Sequence, residues 1–386
     1  MPTKQVPLNG AVVAWAREES GLSLETVAAS LDVDEELLAK WESGESRPTK
    51  GQFTKLVKLL KRPSAVFFLP KPPTRAAVPT SFRLAPGLGD HRLNEEEVRQ
   101  IRWARRLQEI VSWALRDGGE DRVGLPRFAT TGNPSIAAAS VRTSLAVSPA
   151  DQLAWTTPSE AFRAWRAALE DARVLVLQLG LGRNNVRGFS AWDDYAPVVA
   201  VNTAYHPTAR IFTLFHEVGH LVTRTDAACL RFILPSDPEI GAERWCERFS
   251  AALLMPEEAV RAVAARLGVT SASKATDIDT ARRFASRFNV STRAVSLRLQ
   301  ELDLAPDGFY GAIEKQLATL DWNKQGGRGG GQPAPEKRLG QLGGRIPAVL
   351  MDAQSEGRIN RLDLADYLHL TTGQVDELGS LVSKVA

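Results

Sequence analysis

The amino-acid sequence predicts a mainly α-helical protein with one small sheet, α+β in class, in which a short N-terminal helical bundle precedes a larger domain. Three observations carry that expectation. Apolar residues recur at helical spacing through Val12, Val13, Ala16, Leu24, Val27, Ala28 and Leu31. Runs with strand character are confined to residues 173–177, 186–189 and 198–201. A stretch dominated by Gly, Pro and charge, residues 324–345, sets a short helical tail apart from the rest.

A chain of 386 residues exceeds one ordinary hydrophobic core, so two or three domains are expected. Apolar residues at 44% and charged residues at 24% are globular values, which confines disorder to particular segments. The opening MPTKQVPLNG lacks the apolar run of a secretory signal, and no later segment approaches the ~18 apolar residues of a membrane span. A cytoplasmic protein without membrane contact is the expectation. Two cysteines, Cys229 and Cys246, argue against a disulfide-stapled scaffold. A net charge of +3 is too small to signal nucleic-acid binding by itself. The expected division is a helical domain over 1–70, a proline-rich linker over 71–93, a main domain over 94–323, a flexible linker over 324–345 and a small helical tail over 346–386.

Within the first domain, Ser23 can cap one helix, Leu31-Asp32-Val33-Asp34 forms a tight turn, and Glu35 opens the next helix through Trp41. Gly44 and Pro48 end that helix, and Phe53 to Leu60 supplies another. The run from Gly21 to Thr49 resembles the Cro/cI-type repressor domain, on Leu24, Val27, Ala28, Leu31, Val33, Leu37, Trp41, Glu42, Gly44 and Pro48. The resemblance implies a five-helix bundle containing a helix-turn-helix. Around the second helix of that motif, Asp32, Asp34, Glu35, Glu36, Glu42 and Glu45 face only Lys40 and Arg47, a balance poorly suited to a phosphate backbone. The same acids also stabilise a helix N-terminus through its dipole. DNA binding through residues 10–69 therefore stays open, and no DNA-contacting residue is assigned.

Asn94 to Arg116 reads as one long amphipathic helix, with Arg99, Arg102, Arg105 and Arg106 on or beside its apolar stripe. A solvated flank is the preferred reading of those arginines over a phosphate or acidic-partner contact. Residues 162–169 read as a helix ahead of the small sheet, and 243–267 and 278–302 as further helices.

The motif that carries chemistry is His216-Glu217-Val218-Gly219-His220, set in RIFTLFHEVGHLV with Ile211, Leu214, Phe215, Val218 and Leu221 at helical spacing. On a helix, imidazoles at i and i+4 project from one side a turn apart and can share a single Zn²⁺ at ~2.0–2.1 Å. Glu217, displaced around the helix, suits a general base acting on water, whose pKa the metal lowers toward ~7. The bland alternative is a helix carrying two unrelated histidines. A catalytic zinc site needs a third protein ligand, and Glu243, at the head of an apolar helical segment with Trp245, Phe249, Ala252 and Leu253, is the best candidate. Spacing alone leaves it open between a ligand and a surface carboxylate. Cys246 reads as a small buried thiol in preference to a fourth ligand or redox switch. His206 and Tyr195 are conceivable oxyanion donors that spacing does not place.

Asn202 through Arg210, Phe212-Thr213-Leu214, HEVGH and the later E-x-x-C-x-x-F-S-A-A-L-L-M-P together resemble the ImmA/IrrE family of bacterial zinc metallopeptidases. The resemblance implies a minimal zincin-like peptidase domain joined to the helix-turn-helix bundle, with Glu243 as third ligand. Glu247, one turn further on the same side, stands where the family commonly has Asn, which puts the support of the ligand set in doubt. Residues 67–83, 99–110 and 288–302 also resemble members that fuse a repressor-type domain to the peptidase. Phe288 to Leu302 looks like a second helix-turn-helix turning at Val290-Ser291, which the resemblance places inside the peptidase body. The implied function is a regulatory zinc endopeptidase cutting a repressor-type protein. The alternative is a DNA-binding regulator whose peptidase-like domain senses a ligand or has lost turnover.

Overall fold

The computed structural model describes residues 5–20, 22–60, 64–72, 81–83, 94–182, 186–224, 238–270, 274–318 and 332–384. The chain forms two compact units, Met1–Val78 with His91–Trp103, and Pro79–Asp90 with Ala104–Ala386. Among the described residues no helix is long and apolar enough to cross a membrane.

The first unit is built from α1 (Gly10–Glu19), α2 (Leu24–Leu31), α3 (Glu35–Ser43), α4 (Lys50–Leu60) and a 3₁₀ helix, Ser64–Phe68. The implied five-helix bundle thus has its last member as a short 3₁₀ segment, closed off by Pro70, whose ring cannot extend a helix. Ser23 Oγ accepts from the Thr26 amide at 3.1 Å, starting α2 as its sequence suggests. Asp32 takes the left-handed conformation, φ 58°, and Asp34 restarts the chain as α3. Val27, Ala28, Leu31, Leu38 and Trp41 face inward and close the helix-turn-helix on Val12, Val13 and Ala16.

In the second unit α5 (Glu95–Asp117, shared with the first unit through residue 103) is followed by α6 (Pro134–Ser144), α7 (Pro149–Ala154) and α8 (Pro158–Asp171). The sheet contains β1 (Ser81–Arg83), β2 (Leu175–Leu179), β3 (Gly188–Ala191) and β4 (Val198–Asn202), in the order β1-β3-β4-β2. Only β2 and β4 run parallel. Residues 81–83 belong to the segment expected to be a linker. Their backbone instead pairs with β3 at Ser190, Phe189 and Gly188, an edge that side-chain pattern does not announce.

After the sheet come α9 (Pro207–Thr223), α10 (Pro238–Leu254), α11 (Glu257–Leu267), α12 (Ile278–Phe288), α13 (Thr292–Glu301) and α14 (Phe309–Ala318). Each of the two expected helical stretches is a pair of helices. Pro256 divides the first, and Asn289, left-handed at φ 54°, divides the second. Phe284, Phe288, Val290, Val295 and Leu299 bury that second pair in the core of the unit, where the sequence resemblance put it. α10 packs between α9 and α6, and its C-terminus is held by side chains from three other helices. Arg142 on α6 donates to the Leu253 carbonyl at 2.6 Å, Gln152 on α7 to that of Leu254 at 2.9 Å, and Arg298 on α13 to that of Met255 at 3.1 Å. Cationic donors on a helix C-terminus satisfy its orphan carbonyls and its dipole together.

The expected flexible linker 324–345 is corrected from residue 332 onward; its earlier part lies outside the described residues. α15 (Ala334–Leu342) buries Pro335 and Leu342 and packs on β2. The buried Arg166 guanidinium donates to the carbonyls of Val176, Gly340 and Gln341, stitching α15 to the sheet. Composition hid this because the acceptors are backbone carbonyls, which every residue has. The tail is likewise part of the second unit: α16 (Arg345–Ser355), α17 (Arg361–Leu368) and α18 (Thr372–Val382) follow directly. The turn from α17 to α18 repeats that from α2 to α3. His369 is left-handed at φ 50° where Asp32 is, Thr371 caps where Asp34 stands, and the Leu370 amide bonds Ala365 O at 2.9 Å as Val33 bonds Ala28 O at 3.1 Å. Leu364, Ala365, Leu368, Val375 and Leu378 are buried at the positions of Val27, Ala28, Leu31, Leu38 and Trp41.

The four arginines of α5 all engage their own chain. Arg99 pairs with Glu96, Arg102 with the Glu18 carbonyl, Arg105 with Gln108, and Arg106 with Asp366 while lying over the Tyr367 ring. Replacing Arg142 by Met keeps its bulk but leaves Leu253 O and Gln152 without their donor. The expected outcome is a loss of about 1.5–3 kcal/mol in urea unfolding of the full chain.

Candidate metal centre

From Thr213 to Thr223 α9 is buried on all sides because it runs through the core, packed against β3, β4, α8 and α10. Pro207 at its first turn fits a position that needs no amide donor. His216 and His220 follow one turn apart, both buried, with Nε2 atoms 3.2 Å from each other. Glu243, in the second turn of α10, brings Oε2 to 3.0 Å from His216 Nε2 and Oε1 to 3.1 Å from His220 Nε2. These three are the His/Cys/Asp/Glu group, among the described residues, whose donor atoms all lie close enough to hold one ion.

The donor set fits zinc. Ligands ~2.0–2.1 Å from one ion at tetrahedral angles sit roughly 3.3 Å from each other, and the observed separations fall a few tenths of an ångström short of that. Two imidazoles and a carboxylate are also the ligand chemistry zinc takes. Glu243 keeps 31% of its side chain in solvent, so the donor set opens outward on that side. Burial opposes ionisation of Glu243, but hydrogen bonds from His216 and His220 prevail and hold it well below the usual carboxylate range. Burial likewise opposes the charged form of His220, and Cys246, Glu243 and Glu217 outweigh it and raise its pKa.

The approach of α10 to α9 depends on Gly219. A β-carbon there would stand 3.0 Å from Cys246 Sγ and 3.2 Å from Cys246 Cα. Cys246 is buried, as its sequence reading has it; burial pushes its thiol up, and it also hydrogen-bonds His220. Glu247 is exposed, outside the donor trio, and within electrostatic reach of Tyr310. His206 is exposed as the N-cap of α9, and the Tyr195 amide bonds Asp193. Cys229 lies outside the described residues.

Glu217 is fully buried, and its Oε2 accepts a 2.8 Å hydrogen bond from Ser190 Oγ on β3. Two residues back on the same strand face, a β-carbon on Gly188 would lie 2.5 Å from Thr213 Cγ2 and 3.5 Å from Glu217 Cγ, so its absence admits α9 to the sheet. Neither residue carried a signal in the sequence, because both act across distant chain positions. In the first unit Glu42, counted among the acids of the helix-turn-helix, is engaged by Arg17 in a two-pronged pair at 2.6 and 2.9 Å. Glu36 holds Lys40 at 2.7 Å. Asp32, Asp34, Glu35 and Glu45 remain exposed.

The fold and site define a helix-turn-helix unit together with a metallopeptidase-like domain. Residues 169–300 match the model of the IrrE N-terminal-like domain, a peptidase family, and residues 13–67 match that of the helix-turn-helix family. The chain thus carries an ImmA/IrrE-type domain and a Cro/cI-type domain. No curated protein and no solved structure matches it.

Substituting Gly219 by Val drives two methyl groups toward Cys246 and separates α9 from α10 without removing any of the three candidate donors. Zinc retention after dialysis against a chelator should fall by about 100-fold, as when support of a metal ligand is lost.

Proposed function

We propose that the chain is a regulatory zinc-dependent endopeptidase that cuts a repressor-type protein. The observation carrying this reading is the convergence of His216, His220 and Glu243 beside the buried Glu217, inside the stretch that matches a peptidase family. His216, His220 and Glu243 would hold Zn²⁺. When bound, zinc polarises a peptide carbonyl and lowers the pKa of attacking water. Glu217 takes a proton from that water and delivers it to the departing amine nitrogen, so no covalent adduct with the chain is required. Its burial keeps bulk water from competing for the proton.

The helix-turn-helix match supports a regulatory setting. It also favours a second reading, a DNA-binding regulator whose metallopeptidase-like domain senses a ligand. The exposed acids flanking α3, with Lys40 already held by Glu36, weigh toward recognition of a protein by this module.

Glu217→Gln separates the two readings. For the peptidase it leaves about one zinc per chain and lowers cleavage of a helix-turn-helix repressor by about 10²–10⁴-fold, read by mass spectrometry of the products. Specific, salt-dependent operator binding untouched by Glu217→Gln, with no cut repressor, would favour the regulator.

A further inference from the structure

The metal ligands are fixed by mutual contact, but a general base must also be aimed. A glutamate side chain has three rotatable bonds, and holding it still costs on the order of 1–2 kcal/mol of rotamer freedom. In this chain the aiming falls to the sheet. Ser190 lies at the middle of β3, between Ser81 of β1 and Val199 of β4, and is itself only 4% exposed. Its hydroxyl donates to Glu217 Oε2 at 2.8 Å. Gly188 on the same strand face lets the Glu217 stem come close enough for that bond.

We infer that Ser190 is the positioning residue of the site: by tethering one carboxylate oxygen of Glu217 it fixes the rotation of the carboxylate plane, and so the direction in which the second oxygen meets water. This rests on the reading of Glu217 as general base. Ser190 touches neither substrate nor metal ligand in this role. Its rigid strand is what converts a flexible side chain into an oriented one, and orientation is the part of catalysis most sensitive to small displacements. The alternative is that Ser190 merely satisfies a buried carboxylate. The two differ in what is lost when the hydroxyl goes, since satisfaction concerns stability and aiming concerns turnover.

The test uses the full chain loaded with zinc, as wild type, Ser190→Ala and Ser190→Thr. For Ser190→Ala the expected result is unchanged zinc stoichiometry, a KM within about twofold of wild type and a kcat lower by about 10–100-fold. Ser190→Thr, which keeps the hydroxyl, restores kcat to within about threefold. Crystal structures supply a readout that needs no turnover: Glu217 should hold one carboxylate orientation in wild type and Ser190→Thr, and a changed or divided one in Ser190→Ala. An unchanged Glu217 orientation in Ser190→Ala, an unchanged kcat, or loss of zinc and fold in both variants would each overturn the proposal. A wild type that binds zinc and cuts no repressor would count against the peptidase reading, while the Glu217 orientation still decides the role of Ser190.

Discussion

The contact between Gly219 and Cys246 is the constraint on which the candidate centre rests. Two helices that meet through ordinary side chains keep their axes about 8–10 Å apart. Here the missing β-carbon on α9 lets a cysteine of α10 settle against its backbone. Glu243, one turn before Cys246, is thereby carried to within hydrogen-bonding distance of both histidines. Its carboxylate could not reach them from a helix held further off. The glycine inside HEVGH therefore contributes geometry, while the residues around it contribute chemistry.

The surrounding structure reads as a means of keeping those two helices in place. α10 is held at its far end by Arg142, Gln152 and Arg298, whose donors occupy three successive carbonyls. The Arg142 guanidinium also lies over the Trp165 ring, and burial pushes its pKa down to about 10, so its hydrogen bonds offset a real desolvation cost. α9 is held from other sides by the sheet and by α8, whose Trp165 meets Phe215 edge-to-face at 4.7 Å between ring centres. The C-terminal helices complete the support, because Arg166 ties α15 to the carbonyl end of Val176 on β2. The stretch with the least hydrophobic composition in the chain thus ends in a docked element.

Helix-turn-helix geometry occurs three times among the described residues: in α2–α3, in α12–α13 and in α17–α18. In each, a left-handed residue (Asp32, Asn289 or His369) is followed by an apolar residue whose amide bonds back to the previous helix, and then by a capping residue. The arrangement is a stable way to turn two short amphipathic helices. Its recurrence inside the second unit shows that the geometry serves packing. Only the first copy falls in the stretch that matches the helix-turn-helix family.

By itself the sequence determined the local features of this protein. The helical period placed His216 and His220 on one face, Ser23 and Glu35 marked helix starts, and short runs of strand-forming residues located β2 to β4 to within about two positions, because each depends on residues a few positions apart. Glu243 entered as one of two open readings, and resemblance preferred it. Tertiary structure decided what depends on chain segments far apart: the approach of Glu243, the Ser190 bond to Glu217, the strand at 81–83, and the docking of 332–384. Backbone carbonyls, strand edges and absent β-carbons make those contacts, and none of them leaves a periodic mark in the sequence. The histidines and glutamate of one helix were therefore legible from the start, whereas the centre they belong to exists only once α10 and β3 close around them.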